Sequence, residues 1–301
     1  MTILVRQLLE QGHANLAKQK AEKEEKLRGH LRVGTSGCVV GNEIYGTCHR
    51  IALARSLGIE EKAKLHTRVM WYEGEYNEVD WDGIITASTD SKTGKGHYPV
   101  DRNQTDIKAT IEGVPLPVLG HPDMLLAKEM GGEPILGLEL KGVFGYSTAV
   151  LVSVEGKPKC DNLIQAAAYA HFLNLPYELW YTNSCYWPKM YGKEGIEPFY
   201  KGFALDWREG ILWYQPEEKE WVETLITVQG IKDYYRFVAE MPTRKELGPR
   251  VTSNYADGSP NKWGPQANCK FCAFSSSCDR YDTTQDYDKW IEDIKTAVEI
   301  E

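Results

Sequence analysis

Pro134-Ile135-Leu136-Gly137-Leu138-Glu139-Leu140-Lys141 is an apolar run that acquires two charges near its end, and its reading decides the fold. The run is short enough for a strand, and a strand has a side-chain period of two. Glu139 and Lys141 therefore share one face, while Leu138 and Leu140 point to the other. A carboxylate on such a face can hold a divalent cation. An ammonium two residues on can orient or deprotonate a water and balance phosphate charge.

Two further segments surround this strand in the chain. Gly120-His121-Pro122-Asp123 is a turn leading into the apolar run Met124-Leu125-Leu126, which places a second carboxylate at a strand edge. Two carboxylates from adjacent strands can grip one Mg²⁺ or Mn²⁺. Downstream, Gln165-Ala166-Ala167-Ala168-Tyr169 spaces its polar residues at i, i+4, so a helix over about Asn162 to Leu173 turns both to one side. That helix can close over the metal site. Each piece alone is ordinary: Glu-x-Lys on a strand is usually a cross-strand charge pair, and Asp favours turns. Their joint occurrence, in order and flanked by apolar residues, points to metal-dependent phosphodiester hydrolysis.

The wider pattern predicts an α/β core. Helices are expected near 43–57 and 65–79, strands and loops over 83–119, and a strand near Ser147 to Val154. The Gln165 helix follows, then Tyr177-Glu-Leu-Trp-Tyr-Thr as a buried strand, aromatic strands over 197–228 and a helix near 229–240. Strands alternating with helices in this way predict a mixed central sheet flanked by helices. Composition fits a globular enzyme, with 42% hydrophobic and 26% charged residues in 301, enough for a sizeable core. The net charge of −8 runs against a general DNA binder. Part of that charge belongs to the metal ligands and part to the acidic tail around Asp279 to Glu301, so local sign matters more than the total.

Seven cysteines are an odd number and make no disulfide framework. The start, Met1-Thr-Ile-Leu-Val-Arg-Gln-Leu-Leu-Glu10, is too short in apolar length for a secretory signal. No stretch approaches the roughly 18 apolar residues of a membrane span. A reducing cytoplasm is the expectation, where clustered thiols bind metal. Cys269-Lys-Phe-Cys272-Ala-Phe-Ser-Ser-Ser-Cys278 gathers three thiols, which need a fourth ligand from elsewhere to complete a four-cysteine site. Cys48 and Cys38 are the early candidates. Spacing alone leaves zinc and iron–sulfur both open.

Gly120-x-x-Asp123, Glu139-x-Lys141 and Gln165-x-x-x-Tyr169 together resemble the RecB-type PD-(D/E)XK nucleases, residue by residue for these three elements. The resemblance implies a restriction-endonuclease-like core in which Asp123 and Glu139 bind Mg²⁺ or Mn²⁺. It implies that Lys141 assists the attacking water, and that Gln165 and Tyr169 contact DNA or the edge of the site. The backbone carbonyl of Leu140 is a further ligand candidate. Family members often carry Gly-x-x-x-His on a first helix; here Gly74-Glu75-Tyr76-Asn77-Glu78 puts Glu78 at the His position, as a third carboxylate for the metal.

Cys48-His-Arg-Ile-Ala-Leu-Ala-Arg55 resembles the Cys-x-Arg helix of the iron–sulfur members, which include the AddB nuclease domain and the CRISPR-associated Cas-four-type exonucleases. That likeness implies a [4Fe-4S] cluster on Cys48, Cys269, Cys272 and Cys278, stapling the N- and C-terminal parts of the core into one lobe. Cys38, which lacks the basic residues after it, is the competitor, and zinc the alternative occupant. The implied activity is a deoxyribonuclease, an exonuclease on single-stranded DNA, in the host cytoplasm if phage-encoded. Recombination, CRISPR or phage replication partners, or a second copy of the chain, would then be its company. The alternatives are a noncatalytic DNA-binding or assembly subunit on the same scaffold, and an endonuclease with structural zinc. On this reading residues 1–30 form a charged helical arm, 31–82 a helical segment with the first cluster cysteine, 83–242 the nuclease core, and 243–301 the cysteine segment and acidic tail.

Overall fold

The computed structural model describes residues 29–59, 65–88, 96–100, 106–189, 195–249, 251–252, 254–260, 272, 274, 277–278, 281 and 286–299, with 65–71 and 297–299 described by backbone alone. Among them the strands are β1 (Leu31–Arg32), β2 (Gly37–Val40), β3 (Glu43–Gly46), β4 (Tyr98–Pro99), β5 (Ile107–Ala109), β6 (Val118–Gly120), β7 (Met124–Ala127), β8 (Pro134–Gly142), β9 (Tyr177–Asn183), β10 (Phe199–Arg208), β11 (Ile211–Pro216) and β12 (Val222–Thr227). The helices are α1 (His49–Ser56), α2 (Leu65–Ser88), α3 (Tyr146–Ala149), α4 (Cys160–Leu173), α5 (Val228–Arg244) and α6 (Tyr287–Glu299).

Seven strands form the central sheet in the order β12-β11-β10-β9-β8-β7-β4. Only β8 and β9 run parallel; the other neighbours are antiparallel. The reason lies in the connection between them: the chain leaves β8, passes through α4 and re-enters β9 from the same end, as parallel neighbours require. A smaller sheet, β1-β6-β5, and the β2-β3 hairpin complete the strands. The protein is therefore α/β, with a mixed sheet flanked by helices.

The period of two on β8 separates two layers. Leu138 and Leu140 join Met124, Leu126 and Trp180 against Trp81 of α2, whose indole N–H donates to Thr182 Oγ1 at 3.0 Å. Glu139 and Lys141 lie on the other face, in register with Leu179 and Tyr181 of β9, on the side that α4 covers. Ala166, Ala167, Ala168 and Ala170 of α4 are buried, and their small side chains let the helix lie close to the sheet. It ends at Asn174, left-handed with φ 52°, a common helix stop. At its start the Tyr181 hydroxyl accepts from Lys159 N–H (3.0 Å) and from the Asn162 amide (3.2 Å).

Beyond the sheet, α5 buries Ile231, Tyr234, Tyr235, Val238 and Met241, a stripe at helical spacing. Its first turn is capped by Thr227 Oγ1, which accepts from Gly230 N–H at 2.9 Å. The stripe packs on β2, where Gly37 leaves room for the Tyr234 ring: a Cβ there would lie 2.3 Å from it. One buried cluster runs from Leu31 and Val33 through α4 and α5 to Trp290 and Ile294 of α6, so early and late segments share a core.

Three local expectations are corrected. Residues 147–154 are helical, not a strand: α3 continues as a wide π-type turn, Val150–Val154. The β-branched residues there suit a strand, yet the crossover places them off the sheet with Leu151 and Val152 buried, and packing overrides propensity. The helix expected over 43–57 is the strand β3 followed by α1, with Cys48 at the helix start. The helix expected over 65–79 runs on to Ser88. Residues 1–28 of the arm expected over 1–30, and residues 89–95 of the segment expected as strands and loops over 83–119, lie outside the described residues.

Candidate metal centre

The turn after β6 delivers Asp123 to the edge of β8. Asp123 Oδ2 accepts from Leu140 N–H at 2.8 Å and from Lys141 Nζ at 3.4 Å. Lys141 Nζ also donates to Glu139 Oε1, so one ammonium bridges the two carboxyl groups. In a strand the N–H and C=O of one residue point to the same side. Because Leu140 N–H faces Asp123, the Leu140 carbonyl lies on that same edge. The side chains of Lys141 and Asp123 remain 23% and 14% exposed, so the cluster opens to solvent through them.

Glu139 has no exposed surface, and its Oε2 has no hydrogen-bond partner. Burial, and then the negative charge of Asp123, push its carboxyl up to about 8 against the pull of Lys141. Burial works against the charge of Lys141, but Asp123 and Glu139 outweigh it and hold the ammonium above its ordinary range. Glu139 therefore holds a proton near neutral pH beside the fixed Lys141 cation. A buried carboxylate oxygen without a partner is costly. A hard divalent cation is what such an oxygen set accepts.

The helix motif behaves differently at its two positions. The Tyr169 hydroxyl accepts from His121 N–H at 3.1 Å and donates to His121 C=O at 2.9 Å. Its ring is buried and stacked on Tyr177 (6.0 Å, 11°). Gln165, one turn earlier, is half-buried beside Gly34. Glu78 is not brought to the cluster: α2 packs on the Leu138 and Leu140 face, and among the described residues no three His, Cys, Asp or Glu side chains converge as a metal site. Two residues that the sequence places in the turn and the next strand, without a role in the site, also lie at the cluster. His121 is half-exposed with Nδ1 2.8 Å from Asp106 Oδ1, and Tyr177 has a buried hydroxyl without a partner. The alternation in Tyr177-Glu-Leu-Trp-Tyr was the available signal, since it sets Tyr177 and Tyr181 on the Glu139 face once the register is known.

Cys48 lies at the start of α1, near Cys278. It is the N-cap residue of α1 and makes no side-chain cap hydrogen bond; burial raises the thiol's pKa, and the charge of Cys278 adds to the rise. Arg50 is buried and donates to the carbonyls of Gly248 (3.3 Å) and Tyr281 (2.9 Å), tying α1 to the late segment. Cys272 packs against the same core, and Cys269 lies outside the described residues. Cys38 instead points its thiol at Thr227 C=O, 3.8 Å away. His49 is clamped between the rings of Tyr234 and Phe237, each at 4.6 Å. Burial lowers its pKa from 6.5 to about 3, so its contribution to stability is full above pH 6.5 and is lost as the pH falls toward 3. His49→Phe is expected to narrow the gap between melting temperatures at pH 7 and pH 5; an unchanged gap would remove this residue from the acid response.

No family model and no curated protein matches the chain. A solved structure, that of SSO0001, is similar at 14% identity with a TM-score of 0.40, over 92% of this chain and 97% of that one. That likeness fixes neither activity nor ligand. Among the described residues no helix is long and apolar enough to cross a membrane.

Proposed function

We propose that this protein is a metal-dependent deoxyribonuclease that hydrolyses phosphodiester bonds, with single-stranded DNA as its substrate and exonucleolytic action as the nuclease resemblance implies. The observation that carries the reading is the buried, unpartnered oxygen of Glu139 beside Asp123 and Lys141. Asp123, Glu139 and the carbonyl of Leu140 would hold Mg²⁺ or Mn²⁺. When bound, the ion lowers the pKa of a water and offsets charge on the phosphoryl oxygens. Lys141 keeps its proton next to both carboxylates, so its part is to orient the attacking water and the phosphate by charge. Asp123, fixed by Leu140 N–H, sets where the ligands sit. Calorimetry with Mn²⁺ tests this directly: the wild type is expected to bind, and Asp123→Asn to lose at least tenfold in affinity. Equal affinities would remove Asp123 from the site.

The same proposal places a [4Fe-4S] cluster on Cys48, Cys269, Cys272 and Cys278. The nearness of Cys278 to Cys48, which sits at the start of α1 where the helix dipole favours negative charge, supports it. The cluster's contribution is structural, since closing α1 onto the late segment is folding energy. Anaerobically purified protein is expected to absorb visible light and bleach on reduction. Cys48→Ser and Cys278→Ser should lose the colour and melt lower, and Cys38→Ser should keep the colour. A colourless wild type carrying zinc would replace iron–sulfur by the zinc site.

A further inference from the structure

We infer that Tyr169 is a positioning residue that locks the Asp123 turn, and not a contact to substrate; this rests on the metal-site reading above. One phenol oxygen satisfies both backbone groups of His121, two residues before Asp123, at 3.1 and 2.9 Å. Two bonds to a single residue fix the turn against sliding and against rotation. A phenol has one proton to give, and this one is spent. The residue is 2% exposed, so a phosphate has no route to it.

The lock is built into the layers around it. The Tyr169 ring stacks on Tyr177, whose ring lies directly over Gly137 of β8. The strand carrying Glu139 and the turn carrying Asp123 are thereby referenced to one pair of rings. Gly120 makes the approach possible: a Cβ there would lie 2.7 Å from the Tyr169 ring and 2.7 Å from Val33 Cγ2. The consequence is that the distance between the two carboxylates is set from α4, through backbone atoms. Gln165, half-buried one turn away, is the member of the pair that solvent can reach.

Tyr169→Phe removes one oxygen and keeps the ring. It is expected to weaken Mn²⁺ binding about tenfold and to lower kcat about 10- to 100-fold, since supporting residues around metal ligands carry effects of this size. KM for labelled single-stranded DNA should stay within about twofold, because no substrate contact is lost. The His121 amide should exchange with solvent faster. Wild-type Mn²⁺ affinity combined with a raised KM would overturn the inference and make Tyr169 a substrate contact. A lower melting temperature with Mn²⁺ affinity, kcat and His121 exchange all unchanged would also overturn it, leaving packing alone. If the wild type binds Mn²⁺ and cleaves nothing, the nuclease reading fails, while weaker Mn²⁺ binding by Tyr169→Phe still supports the lock.

Discussion

Glu139→Gln is expected to abolish detectable Mn²⁺ binding and DNA cleavage while making the metal-free protein relatively more stable as the pH rises. The wild-type carboxyl is buried and raised from 4.5 to about 8. A group whose folded pKa is raised gives its full stability below the unfolded value and loses it as the pH climbs through the folded value. The wild type therefore weakens between about pH 4.5 and pH 8 at this residue, and the amide does not. Glutamine keeps the volume, so no cavity opens. The difference in melting temperature, variant minus wild type, should grow from pH 5 to pH 8 in chelator. A difference that stays flat or shrinks would mean that Glu139 is ionised in the folded protein without a metal.

Gly137→Ala is expected to be the most damaging single methyl in the sheet. Its Cβ would lie 2.0 Å from Tyr177 Cε2 and 2.3 Å from Cδ2. The Tyr177 ring cannot step aside, because it is buried against Tyr169. Overpacking of this kind costs about 1–3 kcal/mol or more, and here it also presses on the ring that fixes His121. Melting temperature and Mn²⁺ affinity should fall together. Gly137→Ala combined with Tyr177→Leu should cost less than the two changes added, as contacting residues couple. Full additivity in that double variant would show that the two side chains do not meet.

The central arrangement was legible because it depends on the strand period alone. Glu139 and Lys141 must share a face if 134–142 is a strand, and Asp123 must lie near them if the next strand back is its antiparallel neighbour. Both conditions hold, with Met124 opposite Leu138. What could not be read depends on long-range geometry. The Tyr169 bonds go to backbone atoms 48 residues away, and no side-chain pattern records a backbone partner. The run Val150-Leu-Val-Ser-Val154 carries strand-forming residues, but its place in the crossover decides its helical turn. Glu78 was placed by motif spacing, whereas Trp81, one turn later, docks α2 on the opposite face of the sheet from Glu139. For the cysteines, spacing offered two early candidates. The fold separates them, setting Cys48 near Cys278 and Cys38 against Thr227.

The most direct measurement is cleavage of end-labelled single-stranded DNA in Mn²⁺ by the wild type and by Lys141→Ala, with Mn²⁺ affinity measured on both. A hydrolase working through this cluster is expected to release products that chelator suppresses. Lys141→Ala should slow it by about a thousandfold, the scale of losing a charged group at the reacting centre, while still binding Mn²⁺. A fully active Lys141→Ala protein, or a wild type that binds Mn²⁺ and releases nothing, would contradict phosphodiester hydrolysis at this site.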